Sequence, residues 1–260
     1  MRAAQRRQLA ESLVEAATTR APLSPLSETA GDLDVADGYR IQQETLRLRR
    51  RAGERRIGWK VGLTSAATRA ELGIDEPIAG YLLASGMVLE GQETACDRFI
   101  APAVEPEIAV VMGRDLAGPA ITALDAARAA DGATPAMEIV DSRFRDWKCG
   151  IAAVVADNAF ATALVLASTV TPLTAVDLRL EGVLIEHNGR RAGTAAGAAA
   201  LGHPLHAVAW LANHLGRLGL GLRAGDVVLT GSLTAIVRVQ PGDTVRASFT
   251  RIGSVGVRFT

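Results

Sequence analysis

The chain has 260 residues, 48% hydrophobic and 22% charged, a balance that suits one large folded domain, alone or with a small appendage, and excludes intrinsic disorder. Twenty-eight basic against twenty-eight acidic residues leave no net charge, so bulk attraction to nucleic acid or to an anionic membrane is not expected and a small-molecule partner is favoured. Two cysteines, Cys96 and Cys149, are too few for a disulfide framework or a thiolate metal site and fit a reducing compartment.

The first twenty residues are basic, but Glu11 and Glu15 interrupt any apolar core, so they do not read as a secretory signal. No segment reaches the roughly 18 uninterrupted apolar residues of a membrane span, and a cytoplasmic protein is the expectation. Leu9, Leu13, Ala16 and Ala17 recur at helical spacing and predict a first helix, followed by a polar loop holding Pro22 and Pro25. "VADGYRIQQETLRLRRR" predicts a second helix with Tyr39, Gln43 and Leu46 on one side. Its end, Arg47, Arg49, Arg50 and Arg51, could be a nucleic-acid patch; a short run of cations favouring the dipole at a helix C-terminus is the better account. After Gly53 glycine and β-branched residues increase, which sets soft boundaries near residues 56 and 95. The expected organisation is an α-rich N-terminal region over 1–95, including a lysine-bearing strand, and a β-rich domain over 96–260.

Within that frame, "IGWKVGLTS" alternates Ile57, Trp59, Val61 and Leu63 with Gly58, Lys60 and Gly62, so one face of a strand is core and the other presents a lysine between two glycines. A lone lysine is usually solvated. In such a notch it can also pair with a substrate carboxylate or move a proton. "VEPEIAVVMG" predicts a strand on which Glu105 and Glu107 emerge on one side, about 7 Å apart. A half-exposed strand with its polar residues outward is the ordinary account of an isolated E-x-E, but this strand continues into residues apolar on both faces, and unpaired carboxylates at the mouth of a buried element cost several kcal/mol unless a cation offsets them. "PAMEIVDSR" adds Glu138 in another predicted strand, with Asp141 just beyond. Three carboxylates without His or Cys make an all-oxygen site of the kind that selects Mg²⁺ or Mn²⁺.

Further along, "AVVADNAFATALVL" fits buried strand or helix equally. "HAVAWLANHLGRLG" predicts a helix with Val208, Leu211, Leu215 and Leu218 on one face, ending at Gly219. From Gly225 to Phe259 three or four short strands are expected, with "PGD" turning one hairpin. His187 falls in a turn and is expected to be exposed, His203 to fix a loop before Pro204, and His206 and His214 to be surface or packing positions. No Ser-His-Asp order, phosphate loop or dinucleotide fingerprint is present.

As an ordered set, "GWKVGLTS", "EPEIAVV", "MEIVDSR", "VVADNA", "LGHPL" and "GDVVLTGSLTA" resemble the hydratase/decarboxylase branch of the fumarylacetoacetate hydrolase superfamily, over nearly the whole chain from Tyr39 to Phe259. The resemblance implies an α+β fold, a mixed β-sandwich roll with a small α-rich N-terminal region. It implies Mg²⁺ or Mn²⁺ held by Glu105, Glu107 and Glu138, catalytic roles for Lys60 and Asp141, and a substrate pocket including Leu72, Ile78, Phe160, Ser232 and Thr234. It further implies a homo-oligomer, in some cases paired with a hydratase, acting on a small 2-oxo acid rather than on nucleic acid or membrane. A 2-oxo acid chelates a divalent ion through its carboxylate and ketone oxygen, so charge developing on that oxygen is stabilised. One such site can serve decarboxylation of 2-oxohex-3-enedioate (4-oxalocrotonate) and hydration of 2-hydroxypenta-2,4-dienoate. Ile78 stands where hydratase-like members carry an aspartate in a "QPDFG"-like segment, and "IVDSR" with "GAAALGHPL" is decarboxylase-like; "RFRDW" is closer to hydratase wording. Decarboxylation is the preferred expectation and hydration the alternative. Ile78 and Phe160 also motivate a third reading, a keto-acid binding protein without turnover.

Overall fold

Short runs of Val, Ile, Leu and Ala broken by glycine and by polar turns form thirteen strands among residues 1–26 and 33–260, which the computed structural model describes. They are β1 (Arg56–Gly62), β2 (Ile78–Leu83), β3 (Met87–Leu89), β4 (Glu93–Thr94), β5 (Ala103–Met112), β6 (Ala130–Val140), β7 (Ala161–Leu166), β8 (Gly182–His187), β9 (Arg190–Ala196), β10 (Val227–Leu229), β11 (Val237–Arg238), β12 (Thr244–Phe249) and β13 (Ser254–Phe259). The α-helices among the described residues are α1 (Ala3–Thr19), α2 (Val35–Arg51), α3 (Ala66–Leu72), α4 (Ala123–Ala129), α5 (Ile151–Ala156) and α6 (Pro204–Arg217). None of them is long and apolar enough to cross a membrane.

The larger sheet has the order β2-β1-β10-β5-β6-β7-β3, with β11 also paired to β5. The smaller has the order β4-β13-β12-β8-β9 and packs through β12 and β13 onto β6. Parallel pairs (β1 with β10, β3 with β7, β4 with β13) occur among antiparallel ones, so this is the expected α+β mixed roll. Lysine and carboxylate strands share one sheet: β1, β2 and β3 precede residue 95 and lie beside β10 and β7.

The β2 edge of the large sheet comes round to β7, the strand next to the other edge, and Asn158 links them. The Tyr81 backbone N–H donates to Asn158 Oδ1 (2.7 Å), and Asn158 Nδ2 donates to Tyr81 O (2.9 Å) and Ala161 O (3.2 Å). Asn158, Ala159 and Phe160 all take left-handed backbone (φ 56, 51 and 63), which costs L-residues roughly 1–2 kcal/mol apiece. That turn is why the ambiguous stretch 153–166 is both things predicted for it: helix α5 up to Ala156, strand β7 from Ala161, and a break that neither period spans.

Both N-terminal helices form as predicted, with Leu9, Leu13 and Ala16 buried on α1. On α2 the buried glutamine is Gln42, not Gln43, because Gln42 Nε2 donates to Ala79 O (2.8 Å) and Val155 O (3.0 Å) while Gln43 faces solvent. Of the Arg run, Arg47 pairs with Glu44 one turn back, and Arg49 approaches Glu54 at 4.0 Å. On α6, Val208, Leu211 and Leu215 are buried, Leu218 is the partly exposed C-cap, and His203 accepts the Leu205 N–H at the other end (3.0 Å). His214 is a buried packing position, its ring stacked 4.9 Å from Trp210.

"PGD" does not turn a hairpin. It carries the chain from β11 in the large sheet to β12 in the small one, and the hairpin is β12–β13. The reason is Asp243, whose Oδ2 accepts the Gln240 N–H (2.9 Å) and sits 2.9 Å from His187 Nε2, tying the turn to the end of β8. His187 is accordingly half-buried and paired rather than free in solvent.

Candidate metal centre

The antiparallel register of β5 and β6 sets Glu105 directly opposite Glu138, and Glu107 projects from the same face two residues further along β5. Like charges opposed across a ladder are unfavourable, and burial removes the water that would soften the repulsion. Glu107 and Glu138 have no solvent exposure, and Glu105 has little. One carboxylate oxygen from each of the three lies within 4.8 Å of the others. Glu107 Oε1 and both oxygens of Glu138 have no hydrogen-bond partner. Hard oxygen donors, gathered, buried and unsatisfied, fit a divalent cation such as Mg²⁺ or Mn²⁺.

Lys60 reaches this cluster from β1, two strands away across β10, with its side chain buried. The side chain lies over Gly62: a Cβ added at Gly62 would stand 3.3 Å from Lys60 Nζ and 3.2 Å from Ile78 Cγ1. The missing side chain therefore makes the channel through which the ammonium travels, and Ile78 forms its apolar wall. Nζ ends 3.1 Å from Glu138 Oε2, an ion pair not aligned as a hydrogen bond. Burial opposes the Lys60 charge, but Glu138, Glu105 and Glu107 outweigh it and hold the ammonium above the usual lysine range.

The loop after β10 closes the site from the side. Gly231 (φ 113) donates its N–H to Glu107 Oε2 at 2.7 Å, and a Cβ there would fall 2.4 Å from Thr64 Oγ1, so only glycine fits. Leu233 N–H then donates to Pro106 O (3.0 Å), keeping the loop against β5. Beside it opens a cavity of about 730 Å³ whose wall includes Thr64, Arg69, Leu201, Ser232 and Thr234. The Gly231 amide and Thr64 are site features that residue type did not single out; the glycine two residues beyond β10, before a run of hydroxyl side chains, was the available signal.

The other expected site residues are placed as follows. Ile78 is buried at the start of β2, facing the Lys60 channel. Asp141, expected near the lysine, is also buried, but its two oxygens accept the backbone N–H groups of Ile100 and Ala101, 2.8 Å each, just ahead of β5. Leu72, expected in the pocket, is 55% exposed at the end of α3, a helix with no buried residue. Phe160 is half-buried, packs on the apolar cluster around α1, and meets the Trp147 ring with centroids 4.9 Å apart.

Burial is the main cause that raises all three carboxyl groups. It outweighs the help of Lys60 and, with the Glu138 charge, brings Glu105 up to about 7; Glu107 is raised well above, and Glu138 above, the ordinary glutamate value. Between about 4.5 and 7 the metal-free fold therefore binds more protons than the unfolded chain, and this part of its stability is lost as pH rises through 7. A cation needs the deprotonated form. Saturating Mg²⁺ is thus expected to raise the melting temperature more at pH 8 than at pH 6, in thermal unfolding scans referenced to EDTA; equal shifts at both would mean that these carboxyl groups do not hold the ion.

A family model described as fumarylacetoacetate (FAA) hydrolase C-terminal matches residues 62–260. The chain is 40% identical over 255 residues to a 2-keto-4-pentenoate hydratase of Paraburkholderia xenovorans (strain LB400), covering 98% of this chain and 95% of that one. It is 39% identical over 251 residues to a 4-oxalocrotonate decarboxylase of Pseudomonas putida, covering 96% and 95%. Among solved structures, 4-oxalocrotonate decarboxylase from Pseudomonas putida G7, complexed with magnesium and adipate, superimposes with a TM-score of 0.97 at 37% identity, covering 100% of this chain and 99% of that one.

Proposed function

Because this chain belongs to the fumarylacetoacetate (FAA) hydrolase C-terminal family, we propose that it is a divalent-metal-dependent lyase of unsaturated 2-oxo acids, and that it decarboxylates a 2-oxohex-3-enedioate-like substrate. The observation that carries the choice of reaction is Ile78, a buried apolar side chain in the channel of Lys60. The acidic residues just before it do not serve as a base there: Asp75 is exposed, and Glu76 is tied to Arg217 (2.8 Å) and Trp210 (3.3 Å) on α6. An alkyl wall excludes water from the reacting carbon chain without activating it, which favours loss of CO₂ over hydration.

Glu105, Glu107 and Glu138 would hold Mg²⁺ or Mn²⁺, which when bound supplies positive charge against the oxygen where the reaction's negative charge gathers. The bond between C5 and C6 breaks, its electron pair passes through the conjugated system to the C2 oxygen, and C6 leaves as CO₂. Lys60, kept protonated by its three acidic neighbours, donates its Nζ proton to that oxygen, giving 2-hydroxypenta-2,4-dienoate, and recovers the proton from solvent. Gly231 N–H holds Glu107 in place. Asp141 acts at one remove, pinning the turn at Ile100 and Ala101 that feeds β5, while Ser232 and Thr234 form a polar wall beside the approach. On the same reading the protein is a cytoplasmic homo-oligomer whose dienol product passes to a hydratase; two unpaired thiols suit that compartment.

An ultraviolet assay offering 2-oxohex-3-enedioate and 2-hydroxypenta-2,4-dienoate side by side, with Mg²⁺ or EDTA, tests the proposal. Bicarbonate released from the diacid and stopped by EDTA is expected. A hydrated product without CO₂ would install the hydratase reading, and Mg²⁺-dependent stabilisation by oxalate without turnover of either acid would make the protein a binding module.

A further inference from the structure

One side chain on the catalytic face of the large sheet has no part in the site so far. Arg238 on β11 pairs with Ala103 on β5, so it emerges on the face that carries Glu105 and Glu107, two residues before Glu105. Ala103 has only a methyl group, and its partner on β6 is Val140, which leaves the row beside the glutamates apolar and low. The Arg238 guanidinium stands over the Trp147 ring, 4.9 Å from its centre, and Trp147 is backed in turn by Phe160. A cation on an indole face is held in place without being neutralised. Among the described residues no carboxylate pairs with Arg238, although it is solvent-exposed and free to find one. Trp147 is itself set by a left-handed turn, with Asp146 at φ 56 and Trp147 at φ 61.

The spacing matches a particular class of ligand. Two residues of extended backbone contain six bonds and rise roughly 6.8 Å. A six-carbon diacid has five bonds between its carboxyl carbons. With one end at the glutamate cluster and its chain along β5, its far carboxylate arrives at the level of Ala103, beside Arg238.

We propose that Arg238, braced on Trp147, receives the distal carboxylate of the substrate and selects diacids over mono-acids of the same class. The inference rests on the proposed function, which seats the 2-oxo acid end at the glutamates. Because the pair is exposed, it favours binding modestly and does not lock down the group that must leave; its effect falls on KM more than on kcat.

Arg238→Gln, Arg238→Lys and the unaltered protein, all with saturating Mg²⁺, decide the matter. In Arg238→Gln the KM for 2-oxohex-3-enedioate is expected to rise three- to tenfold with a smaller change in kcat, and Arg238→Lys to recover part of the loss. By thermal shift, adipate should bind more weakly to Arg238→Gln while pyruvate binds as before. Unchanged KM and adipate affinity, or an equal loss for adipate and pyruvate, would overturn the role. If the unaltered protein turns over neither acid, the function proposed above fails instead, and adipate against acetate binding still judges Arg238.

Discussion

Replacing Glu107 by glutamine is expected to cut Mg²⁺-dependent turnover about a thousandfold, because the charge stabilisation a held cation supplies is worth several kcal/mol of barrier and each 1.4 kcal/mol is a factor of ten. The same change should make the metal-free protein more stable. Glu107 is wholly buried, one of its oxygens is unpartnered, and Glu138 and Glu105 repel it. Burying an unsatisfied polar group costs about 1–3 kcal/mol and more when it is charged, so relief of that cost at pH 8 should raise the melting temperature in EDTA by several degrees, at about 2–4 °C per kcal/mol for a chain of this size. Glutamine keeps the shape and can still accept the Gly231 N–H. The two measurements are a coupled assay and a melting scan. A variant that loses activity and stability together in EDTA would show Glu107 to be a structural residue, and the metal assignment would go with it.

Lys60→Met should separate chemistry from metal binding. Removing one partner of a buried pair leaves an uncompensated charge, at about 3–5 kcal/mol, but here Glu138 can take up a proton, since burial already raises its carboxyl, so the measured loss should fall at the low end and diminish toward pH 6. Turnover should fall by about 10²- to 10⁴-fold, the range for a positioned proton donor. Mg²⁺ should still raise the melting temperature, because the three glutamates remain. If Mg²⁺ no longer stabilises the variant, Lys60 serves to assemble the carboxylates rather than to move a proton.

The pairing of Glu105 with Glu107 was legible because a strand has a period of two: any E-x-E on a β-strand shares a face, whatever the rest of the chain does. The glycine notch around Lys60 was legible for the same reason, as Gly62 follows it on the same face. Helices α1, α2 and α6 were legible from the 3.6 period, but the choice between Gln42 and Gln43 was not, since it turned on two carbonyls, Ala79 O and Val155 O, that come from other parts of the chain.

Asp141 shows the limit from the other side. A carboxylate three residues past Glu138, a candidate metal ligand, invites a chemical role, yet the chain ahead of β5 returns to it with two unpaired N–H groups, and both of its oxygens answer them. Leu72 behaves likewise: its residue type suits an apolar pocket, but α3 contributes no side chain to the core.

By itself the amino-acid order determined which residue types share a strand face, where helices α1, α2 and α6 run, and that the candidate ligands are all oxygens. Only the tertiary structure decided that Glu138 stands opposite Glu105, that Lys60 reaches past β10 and β5 to pair with it, and that β11 lies beside β5 and brings Arg238 to the glutamate face. The physical reason is that a face follows from local backbone geometry, whereas register across a sheet is set by long connections and by packing on both sides, and a slip of one residue would have turned every one of these side chains away.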